Sequence, residues 1–142
     1  MKVQKSARHY TEAAYDEIDI LMKVATSYKD RIWEESLLGY FDGQPQADVV
    51  KESGGTRDFC FVVQLLNTFA HHGPHGKHVC MIFEVLGINL LGIIKSYNYK
   101  GIPIPICRAM SKQILMGLDY LHRVCGILHT DLKPENVLVK LT

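Results

Sequence analysis

An α+β fold is predicted for this 142-residue chain by three features of its sequence. Two apolar runs, Phe59–Phe69 and His78–Leu86, flank a polar turn and read as paired strands. Ile106 to Cys125 carries a long helical stripe. The composition, 47% hydrophobic and 22% charged, can bury a core and excludes a disordered tail. The length suits one domain or a piece of a larger one. A formal net charge of +1 gives no electrostatic basis for binding nucleic acid or a membrane surface. The apolar run Val79–Leu86 is interrupted by Glu84 and is far too short to span a bilayer.

In chain order, Val3 is the one good strand former in residues 2–6. Tyr10 to Ala25 reads as a helix, with Thr11-Glu12 as its cap and first-turn acid and with Tyr10, Ala13/Ala14, Leu21 and Val24 on one stripe. Glu17 lies on that stripe, where a carboxylate is costly unless it meets a cation. Between Thr26 and Asp58 polar residues and glycines accumulate, and Gly43-Gln44-Pro45 and Gly54-Gly55 break any period. A long loop or insertion, disordered in part, is expected over 26–58, with a helical turn around Trp33–Leu38. His71 to Lys77 supplies the polar turn between the two strands. The grouping of His71, His72, His75 and His78 with Cys80 matches no metal-ligand spacing and is read as a solvated hairpin.

Asn89 to Tyr97 reads as a short helix that stops at Gly101-Ile102-Pro103-Ile104-Pro105. The helix Ile106–Cys125 presents Ile106, Met110, Ile114, Leu118 and Leu121 on one face, and Gly126 ends it. Met1–Ser6 lacks the apolar stretch of a signal peptide, so residence in the cytoplasm and nucleus is expected. Cys60, Cys80, Cys107 and Cys125 form no C-x-x-C pair and are expected to be reduced and mostly buried.

The chemistry is concentrated in His129-Thr130-Asp131-Leu132-Lys133-Pro134-Glu135-Asn136, read as a tight loop held by two short buried strands, Ile127-Leu128 and Val137–Val139. Asp131 can accept a hydroxyl proton, Lys133 can steady a phosphate, and the amide oxygen of Asn136 can ligate Mg²⁺. Phosphoryl transfer needs that combination, because the protein mainly positions groups and neutralises charge.

The loop resembles the protein-kinase catalytic loop, with lysine two residues after the aspartate as in serine/threonine kinases. Longer strings narrow the resemblance. Met81–Leu91, Asn98–Pro105, Gly117–His122 and His129-Thr130-Asp131 are similar to the kinases of serine/arginine-rich splicing factors, and Leu121–Leu128 to their fungal members. The resemblance spans nearly the whole chain except 26–58. It implies a partial protein-kinase-like fold: residues 1–86 as part of the small β-rich lobe with its regulatory helix, and 87–142 as the start of the large helical lobe through the catalytic loop. It implies an ATP- and Mg²⁺-dependent serine/threonine kinase acting on Arg/Ser-rich proteins through a groove outside this chain, with no direct nucleic-acid or membrane partner. Asp131 would be the catalytic base, Lys133 the γ-phosphate contact and Asn136 a metal ligand.

The resemblance also gives Glu17 a cation. Lys2 would contact the α/β-phosphates and pair with Glu17, with Lys5 as the rival whose spacing fits less well. Phe83 would back the adenine pocket, and Glu84, Val85 and Leu86 would form the hinge that bonds the adenine edge. Thr130 stands where kinases usually carry an arginine that pairs with an activation-loop phosphate. Within these 142 residues no G-x-G-x-x-G precedes Lys2 and no Asp-Phe-Gly follows Asn136. The isolated chain is therefore expected to be inactive, and the alternative is a non-catalytic kinase-like fragment that at most binds nucleotide or a protein partner.

Overall fold

The computed structural model describes residues 1–53 and 56–141. The described residues form five α-helices and five strands, and the chain divides into two units, 1–28 with 62–84, and 29–61 with 85–142.

The first unit is a three-stranded antiparallel sheet packed on one helix. Its strands β1 (Lys2–Val3), β2 (Leu65–Gly73) and β3 (Gly76–Phe83) are ordered β1-β3-β2. β2 and β3 form a hairpin whose register ends on the pair Gly73↔Gly76, so Pro74-His75 is the whole loop. Gly76 takes φ 108°, a conformation glycine reaches without steric cost. The strands thus run through His71, His72 and Lys77, further than the polar composition implied. β2 also starts later than expected, at Leu65, because 57–59 form a 3₁₀ turn and Phe61 leaves the extended region at φ 50°. Helix α1 (Arg8–Thr26) buries Ala14 against Leu65, Val79 and Met81, with Ile18, Leu21 and Phe83 packed around them. The expected Thr11-Glu12 cap is not used: Ala7 is the N-cap, and its carbonyl accepts the Tyr10 and Thr11 amides at 2.9 and 3.1 Å.

The second unit corrects the reading of 26–58. A 3₁₀ turn (Ser27–Lys29) leads from α1 into two further helices, α2 (Arg31–Tyr40) and α3 (Pro45–Ser53). Asp30 caps α2 by accepting the Ile32 amide at 2.9 Å. Trp33, Leu37, Phe41, Ala47 and Val50 are buried, so the apolar residues scattered through this polar stretch make a core. Lys29–Phe61 groups with 85–142 in this unit. Gly54-Gly55, read as breakers, lie outside the described residues.

Helix α4 (Leu90–Ser96) is capped by Asn89, which accepts the Gly92 amide at 2.9 Å. Helix α4 ends at Ser96 with Tyr97 as its C-cap, ahead of the expected stop, and Pro103 and Pro105 open the next helix, so α5 (Ile104–Asp119) begins two residues before the expected Ile106. Its last turn is a π-turn, Tyr120–Val124, in which the Cys125 amide donates to the Tyr120 carbonyl at 3.0 Å. The buried face of α5 and this turn is Met116, Gly117, Tyr120 and Leu121; the expected stripe of Ile106, Met110, Ile114 and Leu118 is exposed or half-buried. Strands β4 (Leu86–Asn89) and β5 (Leu138–Lys140) pair antiparallel, with Leu86 opposite Lys140 and Asn89 opposite Leu138. Cys60, Cys80 and Cys125 are buried free thiols, and Cys107 is an exposed one.

Candidate active site: a carboxylate, a lysine and an asparagine in one loop

The loop begins where α5 ends. Gly126 at φ 65° reverses the chain, and the Ile127 amide reaches back to the Leu121 carbonyl at 2.8 Å. Only the downstream edge of the loop is a strand, β5. Leu128 and Leu138 are 73% and 48% exposed, so the expectation of two buried strands is corrected. The loop is instead held by a helix stop on one side and a short strand pair on the other.

Thr130 adopts φ 54°, rare for a β-branched residue, while the Asp131 amide donates to the His129 carbonyl at 2.7 Å. A positive φ closed by a bond of that span is a γ-turn, a strained form. Strain of this sort gathers where a side chain must be aimed. The Asn136 amide, on the 3₁₀ turn Pro134–Asn136, donates to the Lys133 carbonyl at 2.9 Å.

These turns gather the three expected groups. Lys133 Nζ lies 3.0 Å from Asp131 Oδ2. Asn136 Nδ2 donates to the same oxygen at 3.0 Å and to the Asp131 carbonyl at 2.9 Å. Both side-chain contacts fall on Oδ2, which leaves Oδ1 for an incoming hydroxyl. The Lys133 hydrogen bond and charge, with help from Asn136 and His129, hold the Asp131 carboxyl below the usual aspartate range. It is ionised at neutral pH, as a proton acceptor must be.

Asn136 spends its amide N–H on Asp131, so its oxygen remains for a cation. One amide oxygen is a single ligand, and Mg²⁺ takes six oxygens in a near-octahedral array. Among the described residues no group of three or more His, Cys, Asp or Glu side chains is placed to hold a metal. Asn136 therefore fits Mg²⁺ as one ligand among several, the rest coming from phosphate, water and further carboxylates.

In the first unit, Lys2 Nζ bonds both carboxylate oxygens of Glu17 at 2.6 and 2.7 Å, and Gln4 Nε2 adds a third contact at 3.2 Å. The carboxylate on the α1 stripe thus meets its cation. Lys5 instead lies over the Tyr10 ring. Glu84 is tied to Gln64, a residue that no motif or spacing singles out: Glu84 Oε1 accepts the Gln64 amide at 2.9 Å and the Glu84 amide reaches the Gln64 carbonyl at 3.3 Å. Leu86 opens β4, and Val85 between them is exposed.

Sequence reasoning also missed a polar knot at the end of α5. Arg123 grips Asp119 through Nε and Nη2 at 2.9 and 2.7 Å, and Tyr40 donates its hydroxyl to Asp119 at 2.8 Å. Arg123 also donates to the Ser36 hydroxyl at 2.5 Å. The Asp119–Arg123 spacing of four was the available signal; its partners on α2 were hidden in what read as a loop.

The protein kinase domain family matches residues 48–142, a region that includes Glu84, Leu86, Asp131, Lys133 and Asn136 and begins after Lys2 and Glu17. Serine/threonine-protein kinase SRPK of Physarum polycephalum is 50% identical over 139 residues, 98% of this chain and 26% of its own length. Protein kinase dsk1 of Schizosaccharomyces pombe is 46% identical over 139 residues, 98% of this chain and 21% of its own length. Serine/threonine-protein kinase SKY1 of Saccharomyces cerevisiae is 44% identical over 141 residues, 99% of this chain and 16% of its own length. The chain spans about a quarter or less of the length of these relatives. With a family match over most of its residues and kinase relatives along nearly all of them, the chain belongs to the protein kinase family, and the SRPK-type kinases are the relatives it resembles.

Proposed function

We propose that the chain is part of an ATP-dependent serine/threonine protein kinase that phosphorylates serines in Arg/Ser-rich proteins such as splicing factors. The observation that carries the reading is the convergence of Lys133 and Asn136 on one oxygen of Asp131, with the other oxygen left open. Asp131 Oδ1 orients a serine hydroxyl and takes its proton as the serine oxygen bonds to the γ-phosphorus and the bond to ADP breaks. Lys133, in contact with that carboxylate, offsets charge on the γ-phosphoryl oxygens. Lys2, held by Glu17, meets the α/β-phosphates, while the Glu84 carbonyl and Leu86 amide take the adenine edge. When bound, Mg²⁺ neutralises phosphate charge, and Asn136 supplies one of its oxygens. Thr130 carries no charge to pair with an activation-loop phosphate, so this reading includes no phosphate switch at that position. The Arg/Ser substrate class follows from the resemblance, and residence in the cytoplasm and nucleus is part of the same proposal. No helix among the described residues is long and apolar enough to cross a membrane.

A second reading is a non-catalytic kinase-like chain that at most binds nucleotide or a protein partner. Two measurements separate the readings. Thermal shift of the purified chain with Mg-ATP tests nucleotide binding. Phosphorylation of an Arg-Ser peptide by a chain extended to the length of its relatives, with and without Asp131→Ala, tests catalysis. Full activity with Asp131→Ala removes the assigned base.

A further inference from the structure

Two features of the second unit meet at one place. A π-turn, a rare geometry found disproportionately at functional sites, occupies Tyr120–Val124 immediately before the candidate catalytic loop. The segment 29–61 grips that same turn. The buried Trp33 ring packs on the Tyr120 ring at 4.9 Å between centroids, and its indole N–H donates to the Thr56 carbonyl at 3.2 Å. Arg123, on the π-turn, bonds Ser36 of α2, and Asp119, the residue before the turn, receives both Arg123 and the Tyr40 hydroxyl. One turn earlier, the Phe61 carbonyl lies 2.9 Å from where a β-carbon on Gly117 would sit.

We infer that segment 29–61 is a brace that holds the end of α5 in its π-turn, and that Arg123 is a positioning residue for the loop that follows. A π-turn accommodates one more residue than an α-turn. If Tyr120–Val124 relaxed to α geometry, the Cys125 amide would bond Leu121 in place of Tyr120. The chain after it would then be rotated by about 100°, the angle of one helical residue. The Leu121 carbonyl is at present the acceptor of the Ile127 amide, so the same relaxation would remove the bond that closes the helix stop. Tyr120 held by Trp33, and Arg123 held by Ser36 and Asp119, oppose that rotation. The positioning role rests on reading 129–136 as the catalytic loop; the geometry of the turn does not.

The test uses the 142-residue chain, residue-resolved amide exchange and the emission of its single tryptophan. Arg123→Ala is expected to speed exchange of the Cys125, Ile127 and Asp131 amides by about tenfold or more, while Val79 and Met81 in the first unit are unchanged. Trp33 emission should shift to the red, and Arg123→Lys should restore part of both effects. Val50→Ala, a core truncation on α3, serves as the control for general destabilisation and should speed exchange across the second unit without that selectivity. Identical exchange patterns for Arg123→Ala and Val50→Ala would overturn the brace, as would an unchanged Ile127 amide in Arg123→Ala. Should Arg123→Ala not fold, Ser36→Ala removes the Arg123 link together with the Ser36 hydroxyl's bond to the Ile32 carbonyl inside α2; the same selective pattern at smaller amplitude supports the brace, and its absence overturns it. No nucleotide enters the experiment, so failure here is distinct from failure to bind ATP.

Discussion

Asp119 and Asp131 lie twelve residues apart and are both held below the ordinary aspartate range by a basic neighbour, yet their surroundings make them different devices. Asp119 is 25% exposed and has both oxygens filled, by two Arg123 nitrogens and the Tyr40 hydroxyl. Asp131 is 65% exposed and carries its partners on a single oxygen. A depressed pKa therefore does not by itself separate a structural carboxylate from the candidate base. What separates the two is whether an oxygen is left open, and whether the residue sits at ordinary helical φ, as Asp119 does at −61°, or follows one with positive φ, as Asp131 follows Thr130.

The largest expected effect breaks the comparison at its reactive end. Asp131→Ala should lower peptide phosphorylation by the relative-length kinase by about 10²–10⁴-fold, the range for a general base, while leaving the melting temperature of this chain nearly unchanged. Asp119→Ala should lower the melting temperature instead and, because Asp119 holds Arg123, should reduce phosphorylation by much less than Asp131→Ala does. Next in size is removal of the ring behind the structural carboxylate. Trp33→Ala empties a fully buried site and should cost about 3–5 kcal/mol in denaturant unfolding. Gly117→Ala places a β-carbon against the Phe61 carbonyl, so backbone must move; overpacking of this sort costs about 1–3 kcal/mol.

Acid titration sharpens the contrast further. Because the folded-state pKa of Asp119 is lowered, its contribution is present above the ordinary aspartate value near 3.8 and is lost as pH falls through the folded value. Asp119→Asn should flatten the fall of stability below about pH 4. The Tyr40 phenol is raised, first by burial and then by Asp119, so its contribution is present below pH 10.0 and lost as pH rises through its folded value. Tyr40→Phe should remove that alkaline slope. A small stability effect belongs to Lys2→Ala. The Lys2 and Glu17 side chains are 46% and 35% exposed, and such pairs are worth about 0.2–1 kcal/mol. If Lys2 meets nucleotide, the same change should weaken Mg-ATP binding by far more than it lowers the melting temperature.

The candidate site was more legible in the sequence than the fold around it. Asp131, Lys133 and Asn136 sit within six positions, so a short loop gathers them whatever surrounds it. For the Lys2–Glu17 pair, fifteen residues apart, a carboxylate on an apolar stripe called for a cation, and it was the family resemblance that picked out Lys2. Gln64 and the Ser36–Arg123 bond left no such trace, because hydroxyls and amides are common everywhere and their partners lie twenty and eighty-seven residues away.

Segment 26–58 shows the limit most plainly. Gly43, Pro45 and the scattered polar residues suppress a helical period, although Asp30 is a sound cap and Trp33 and Leu37 are one turn apart. Helix α2 gains its stability from burying those two residues, a tertiary contribution that propensity does not report.

By itself the sequence determined the grouping of Asp131, Lys133 and Asn136 in one loop, the central hairpin and the long helix that precedes the loop, since each depends on spacing within a short stretch. Tertiary structure alone decided that 29–61 packs with the unit that carries the loop, that Asp119 is filled where Asp131 is open, and that α5 ends in a π-turn. Those outcomes depend on which distant side chains bury one another, and local periodicity carries no record of that choice.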